Sequence, residues 1–317
     1  MSFTAEVKDE LSRIVGDDDE RVAELAALVR TSGTLAMSSH QSYRLSLATE
    51  TGAVARAAIL LFHQCFNLRT ELTVRRSVLH RTRNYLITVP EQPVMAESLV
   101  LMNVLNDDLG LARDVDPRLV ATRATAVAYL RGAFMAGGSV ADPRADAHLE
   151  LVATSLPLSD GLAELLRRVG FPVRVSRRRG EFVLYLKSAA EISGLLRLLG
   201  ATSSSDLIER ARVVKSLRNE TNRRVNAEFA NQKKTTDAAG AQVEMIRAIE
   251  RARGLESLPA ALRDFCELRL EHPELSLREL GEAARPPLSK SAVGHRLRRL
   301  EEIADQLGVA GDSRDPG

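Results

Sequence analysis

The side chains best suited to chemistry lie near the end of the chain, on one side of a helix predicted to begin after Ser289. Lysine, arginine, serine and histidine can donate hydrogen bonds to base edges and phosphates in a DNA groove. Because no carboxylate is spaced to orient His295, a groove contact suits this residue better than general base catalysis. The candidate DNA-binding residues of this segment are Lys290, Ser291, His295, Arg296, Arg298 and Arg299.

A second candidate surface lies on a basic helix predicted over about residues 206–230. Four of its polar residues recur at helical spacing and therefore share one face. Such a face can contact phosphates and base edges, or it can simply be solvated, and the sequence leaves both interpretations open. The candidate residues are Lys215, Asn219, Asn222 and Arg223.

Two arginine-rich stretches form a third candidate surface. Residues 69–83 contain five arginines against one acidic residue, and residues 167–179 contain six arginines and no acidic residue. Such clusters can neutralise phosphates and predict salt-sensitive, largely sequence-independent affinity for DNA. The alternative is solubilising charge on exposed hairpins. The candidate residues are Arg75, Arg76, Arg177 and Arg178.

The elements that must position the candidate residues after Ser289 follow a helix-turn-helix pattern. Ser276 and Glu279 are spaced as a capping box at the start of a short helix, and Pro286 and Pro287 break the chain before the final helix. A short helix, a tight turn and a basic longer helix are typical of a reader of the major groove, against the alternative of a generic helical bundle. The predicted parts are a basic helix and linker over 205–240 with a hinge at 231–240, an all-α helix-turn-helix domain over 241–310 and a disordered tail over 311–317.

The first part of the chain contains an internal repeat. The string Leu25–Gly33 has a counterpart in Leu130–Gly138, displaced by 130 − 25 = 105 positions, and the strand ending at Thr49 recurs at Thr154 with the same displacement. Each copy is predicted to run helix, strand, strand, helix, strand, strand, helix. We therefore predict one duplicated domain over 1–204, with copies at about 20–110 and 120–200.

The repeated helical strings resemble the LAGLIDADG motif of homing endonucleases. The resemblance implies an α+β fold, a duplicated LAGLIDADG-like αββαββα pseudo-dimer, in front of the all-α domain. It covers the apolar and small positions of the motif and fails at the metal-binding acidic ones, where this chain has Ser32 and Gly137. Neither side chain supplies a carboxylate to Mg²⁺. We therefore expect no catalytic residue, no metal site and no cofactor.

Composition excludes several other classes of protein. The longest apolar runs are far shorter than the roughly 20 residues of a membrane-spanning helix. Cys65 and Cys266 are the only cysteines, and their separation suits neither a disulfide framework nor a metal site. The net charge of +2 does not by itself indicate a nucleic-acid partner, so the placement of the basic residues carries that inference.

Taken over nearly its whole length, the sequence resembles the WhiA family of sporulation and cell-division regulators. The resemblance rests on the opening Ser2–Leu11, on Asn219–Asn226 and on Ser289–Arg298. It implies a non-enzymatic, cytoplasmic and nucleoid-associated transcription regulator that binds double-stranded promoter DNA, with a WhiB-type iron–sulfur regulator and RNA polymerase as partners. The alternatives are a non-specific DNA-binding chromosome or division protein and a residual metal-dependent nuclease.

Overall fold

The computed structural model describes residues 2–37, 42–76, 83–178 and 180–309. The predicted tail at 311–317 and two cluster arginines, Arg81 and Arg179, lie outside the described residues. The chain divides into two compact units, Met1–Ser216 and Leu217–Gly317. The domain limits predicted from the sequence therefore stay predictions.

Among its described residues, the first unit contains seven complete α-helices, eight strands, a 3-10 helix at Pro117–Val120 and the start of a further long helix. The helices are α1 (Phe3–Leu11), α2 (Asp18–Ser32), α3 (Gly52–Phe66), α4 (Met95–Leu101), α5 (Arg123–Gly137), α6 (Leu156–Arg168) and α7 (Ala189–Leu199). The strands are β1 (Gly33–Met37), β2 (Tyr43–Thr49), β3 (Glu71–Arg76), β4 (Arg83–Val89), β5 (Gly138–Val140), β6 (Leu149–Ala153), β7 (Arg174–Arg178) and β8 (Glu181–Leu186).

The order of these elements confirms the predicted αββαββα duplication. The first sheet has the strand order β1-β2-β4-β3, and the second has the equivalent order β5-β6-β8-β7. All pairs are antiparallel. Alternate residues of each central strand are buried against the helices, which leaves the opposite face of each sheet open. The last helix of the first copy, α4, is short and spans only Met95–Leu101.

Helices α2 and α5, one from each copy, pack against each other at the centre of the first unit. A Cβ atom on Gly132 would lie 2.1 Å from the Glu24 carbonyl oxygen, so the two backbones approach too closely for any side chain there. The Glu24 carboxylate accepts a hydrogen bond of 2.7 Å from Arg131 Nε in the same interface. Burial raises the pKa of Glu24, and the charge and hydrogen bond of Arg131 oppose that rise.

Helix α1 was not predicted from the sequence. It contacts both the second copy and the helix that follows the two copies. Thr4 Oγ1 donates to the Val140 carbonyl oxygen over 2.9 Å and accepts from the Val140 amide over 3.0 Å, so α1 is fixed to β5. At its other end, Glu10 accepts hydrogen bonds from the amides of Ser203 and Ser204. The carboxylate of α1 thus caps the next helix.

That next helix, α8 (Thr202–Arg253), corrects the prediction of a hinge. Residues 231–240 are helical, and 231–238 are exposed. Their polar side chains bury no face, so hydrophobic periodicity gave no helical signal there, yet they contain no proline that would end a helix.

The rest of the second unit packs three helices around one core, to which α8 contributes Ile246 and Ile249. The three helices are α9 (Ala260–Glu271), α10 (Leu277–Ala283) and α11 (Lys290–Gln306). The buried ring of Phe265 on α9 packs in one cluster with Leu280 of α10 and Leu300 of α11. Buried Arg269 donates to the Leu275 carbonyl oxygen over 2.6 Å and so fixes the loop between α9 and α10.

Candidate nucleic-acid interface

Helices α10 and α11 form the predicted pair. Ser276 and Glu279 make a reciprocal capping box at the start of α10, and the Ser289 hydroxyl accepts from the Ala292 amide, at 3.3 Å, at the start of α11. The Gly281 carbonyl oxygen accepts from the Leu288 amide over 2.8 Å, which holds the turn between the helices. The first turn of α11 is therefore fixed by caps and by backbone bonds.

The buried side of α11 decides which of its residues face outward. Val293, Leu300, Ile303 and Ala304 are buried, and Leu297 is half-buried. The opposite side exposes four of the six candidate DNA-binding residues in the first half of the helix. These are Lys290, Ser291, His295 and Arg298.

The two remaining candidates on α11 lie in different surroundings. Arg296 is half-buried and lines a groove beside Asp264 and Glu271 of α9. Arg299 is exposed, and its guanidinium pairs with Glu302 over 2.5 Å. Both have acidic neighbours within the domain, so they are less available to DNA than His295 or Arg298.

The candidates on α8 are all exposed. Lys215 belongs to the first unit, and its ammonium pairs with Asp146 over 2.9 Å. Asn219, Asn222 and Arg223 belong to the second unit and follow one another at helical spacing.

Strand alternation separates the arginines that are adjacent in sequence. Arg75 pairs with Asn84 and Arg178 with Glu181, and both point to the open face of their sheets. Arg76 and Arg177 point to the face that carries the helices. The structure thus divides the four candidate arginines into two equivalent pairs on opposite faces.

Two of these arginines already have partners. Arg178 Nη1 lies 3.2 Å from Glu150 Oε1, and the Arg177 guanidinium lies 5.6 Å from the centre of the Phe182 ring. The open faces also expose Arg44 on β2 and Arg174 on β7. Sequence reasoning missed Arg44 because it stands alone, outside any basic cluster.

The two positions that lack the acidic residues of the motif lie in different surroundings. The Ser32 hydroxyl donates to the Leu28 carbonyl oxygen over 3.1 Å, so it is used within its own helix. A Cβ atom on Gly137 would lie 2.9 Å from both the Val152 carbonyl oxygen and the Thr31 methyl carbon. No carboxylate fits at Gly137 without movement of the neighbouring backbone.

Two further features are absent from the described part of the chain. Within the described ranges, no three His, Cys, Asp or Glu side chains are grouped so that they could hold a metal ion. In the same part of the chain, no helix combines the length and the apolar composition needed to cross a membrane.

The fold and the site define a class of protein that joins a duplicated LAGLIDADG-like unit to a C-terminal helix-turn-helix domain. Family models match in the same order: the WhiA N-terminal LAGLIDADG-like domain over residues 18–105, the WhiA LAGLIDADG-like domain over 126–218 and the WhiA C-terminal HTH domain over 221–304. The chain belongs to the WhiA family.

Relatives support this membership over the full length. The probable cell division protein WhiA of Thermoanaerobacter pseudethanolicus is 39% identical over 312 residues, covering 97% of this chain and 98% of that protein. The protein of the same name from Heliobacterium modesticaldum is 40% identical over 315 residues, covering 98% of each. The crystal structure of full-length WhiA from Thermatoga maritima superposes with a TM-score of 0.60 at 26% identity, covering 96% of this chain and 99% of that one.

Proposed function

We propose that the protein is a non-enzymatic, sequence-specific regulator of transcription that binds promoter DNA of cell-division and sporulation genes. The observation that carries this proposal is the exposed group of Lys290, Ser291, His295 and Arg298 at the start of α11. In helix-turn-helix proteins, the N-terminal half of the second helix enters the major groove and contacts base edges. Family membership supports the link to cell division, since the relatives carry that name.

Only the first half of α11 suits contact with DNA. Glu301, Glu302 and Asp305 follow in the second half of the helix. Their charges oppose a phosphate backbone, so the helix is expected to enter the groove with its N-terminus. The dipole of the helix favours the same orientation, because its positive end then faces the phosphates.

The proposed partners and location rest on the resemblance to the WhiA family. They are a WhiB-type iron–sulfur regulator, RNA polymerase and a cytoplasmic, nucleoid-associated site of action. Co-purification from cells with and without nuclease treatment separates direct protein contacts from bridging by DNA.

The deciding experiment is occupancy of sheared genomic DNA by purified full-length protein at physiological salt. The test protein is the double variant His295→Ala with Arg298→Ala. The matched control is Arg278→Ala, which removes a basic residue of α10 that pairs with Glu282. We expect sharp promoter peaks that the control keeps and the double variant loses, with a loss of about 1–3 kcal/mol in specific affinity for each residue. Featureless binding unchanged in the double variant would favour a non-specific chromosome or division protein.

The nuclease alternative has its own test. Supercoiled plasmid incubated with the protein and Mg²⁺ or Mn²⁺ is expected to stay intact, because Ser32 and Gly137 supply no carboxylate to a metal ion. Nicked or linear plasmid that disappears on addition of EDTA would contradict the non-enzymatic assignment.

A further inference from the structure

A polar cleft in the first unit is not used by the proposed DNA contacts. It lies between α1, the end of β2 and the start of β4, and it reaches Ala136 near the end of α5. Its volume is about 470 Å³, within the roughly 300–1,000 Å³ typical of small-molecule sites. The polar side chains that line it are Lys8, Thr49, Glu50, Thr51, Arg83 and Asn84.

Lys8 is the least exposed charged residue that lines this cleft. It is half-buried, and its ammonium makes no hydrogen bond or ion pair with another described residue. Burial lowers the pKa of Lys8 to about 8, against the opposing charge of Glu50. A desolvated ammonium without a partner gains from a bound anion, because the anion restores the interactions that water supplied.

Arg83 adds a second cation to the lining of the cleft. It is exposed at the first position of β4, where it lies opposite Arg76 in the register of β3 against β4. Its guanidinium suits a phosphate, since it can donate two parallel hydrogen bonds to phosphate oxygens. The amide of Asn84 and the hydroxyls of Thr49 and Thr51 offer further neutral donors in the same cleft.

Glu50 argues against an inorganic anion or a DNA strand as the occupant. It is exposed at the cleft, and an ionised carboxylate only accepts hydrogen bonds. It therefore opposes a phosphate but accepts from sugar hydroxyls, as acidic residues do with ribose in nucleotide sites. The sugars within a DNA strand carry no free hydroxyl that could serve Glu50.

We propose that this cleft binds a phosphorylated sugar, either a sugar phosphate or a ribonucleotide, with Lys8 and Arg83 on the phosphate and Glu50 on the hydroxyls. The ligand would contact α1 and both central strands of the first sheet. Because α1 also caps α8, occupancy would add contacts at the N-terminal anchor of that helix.

The test is isothermal titration of the full-length protein, without promoter DNA, with ribose 5-phosphate and separately with inorganic phosphate. We expect saturable binding of ribose 5-phosphate that Lys8→Gln and Arg83→Gln each weaken about tenfold, the effect of losing one hydrogen bond to a charged group. The matched control Arg144→Gln removes an exposed cation outside the cleft and is expected to leave the affinity unchanged. The exposed Arg83 keeps the test valid if the Lys8 variant folds poorly.

The role of Glu50 is tested separately. Glu50→Gln is expected to weaken the binding of ribose 5-phosphate and to strengthen that of inorganic phosphate. The substitution replaces one of the two acceptor oxygens for hydroxyls with a donor, and it removes a charge that repels phosphate. The proposal is overturned by an absence of ribose 5-phosphate binding in the millimolar range, by affinity that neither cation variant changes, or by an effect of Glu50→Gln that is equal on both ligands. A short DNA duplex that needs Lys8 and Arg83 while ribose 5-phosphate does not bind would assign the cleft to the DNA backbone instead.

Discussion

Gly132 occupies the point where the backbones of α2 and α5 come closest. The added methyl group of Gly132→Ala would meet the Glu24 carbonyl oxygen, so the two helices must separate. We expect a loss of about 1–3 kcal/mol in the free energy of unfolding of the first unit, the usual cost of overpacking. All four tyrosines lie in the first unit and the chain has no tryptophan, so tyrosine fluorescence in urea measures this transition alone.

Gly240→Ala is the matched control for this substitution. Gly240 lies inside α8 in the second unit, and a Cβ atom there would meet nothing within 4 Å. The tyrosine transition should therefore not move in this variant. An equally unmoved transition in Gly132→Ala would mean that α2 and α5 are farther apart than described.

The ion pair between Glu24 and Arg131 makes the same interface sensitive to pH. Arg131→Met leaves Glu24 buried without its partner, and we expect a loss of about 3–5 kcal/mol near neutral pH. Burial raises the pKa of Glu24 in the folded state above its value in the unfolded chain, so the folded state binds the proton more tightly. The contribution of Glu24 to stability is then greatest below its pKa in the unfolded chain, and it falls as the pH rises through its pKa in the folded state.

The measurement is urea unfolding of Arg131→Met at about pH 5 and about pH 8, followed by tyrosine fluorescence. A smaller loss at the lower pH is expected. The double variant Glu24→Leu with Arg131→Met serves as a control, because it removes both charges and should recover most of the stability. Equal losses at the two pH values would show that the Glu24 carboxyl group reaches solvent in the single variant.

Neighbouring residues also show where sequence reasoning reached its limit. The arginine clusters were identified by composition, which cannot tell Arg75 from Arg76. Only the register of β3 against β4 assigns them to opposite faces. The absence of the acidic residues, by contrast, follows directly from the sequence, which has Ser32 and Gly137 at their positions.

Among the elements, α1 anchors the start of α8, and sequence reasoning missed it although its buried residues Phe3, Val7 and Leu11 recur at helical spacing. Glu10→Gln removes the charge that caps α8, and we expect a loss of about 1 kcal/mol in the stability of the first unit. Burial alone would raise the pKa of Glu10, but its hydrogen bonds from Ser203 and Ser204 lower it overall. This contribution is therefore present above the unfolded pKa and is lost as the pH falls through the folded pKa.

Thermal unfolding by tyrosine fluorescence measures the effect, with Glu6→Gln as the control. Glu6 lies on the same helix, is exposed and caps no other element. The difference between the two variants should vanish in acid, where Glu10 is protonated in both states. A difference that persisted in acid would assign the role of Glu10 to packing rather than to its charge.

Helices α2, α5 and α11 were predicted correctly because each has a buried face. The repeat was found because α2 and α5 must both present small residues to each other, and α11 because Val293 and Leu300 recur at helical spacing. Helix α8 was interrupted in the prediction because most of its middle segment is exposed, so its helical residues follow no hydrophobic pattern. Its continuity depends on backbone propensity, which is a weaker signal.

At the scale of the whole molecule, the helix-turn-helix domain and the open sheets are expected to make different contributions to DNA affinity. Contacts of α11 with bases depend on sequence, whereas arginines on the open sheets would contact phosphates and act on any duplex. The variant Arg75→Gln with Arg178→Gln separates the two. It should weaken the binding of specific and scrambled duplexes by the same factor. The negative slope of log affinity against log salt should become shallower by roughly 0.9 for each phosphate that is no longer neutralised.

The matched control, Arg76→Gln with Arg177→Gln, removes the same charge from the opposite face of the same strands. The measurement is fluorescence anisotropy with both duplexes over a series of salt concentrations. A slope reduced only in the open-face variant would place the open sheets of the first unit against DNA. Equal slopes in both variants would mean that these arginines act on DNA only through long-range electrostatic attraction. DNA would then be contacted by the second unit alone.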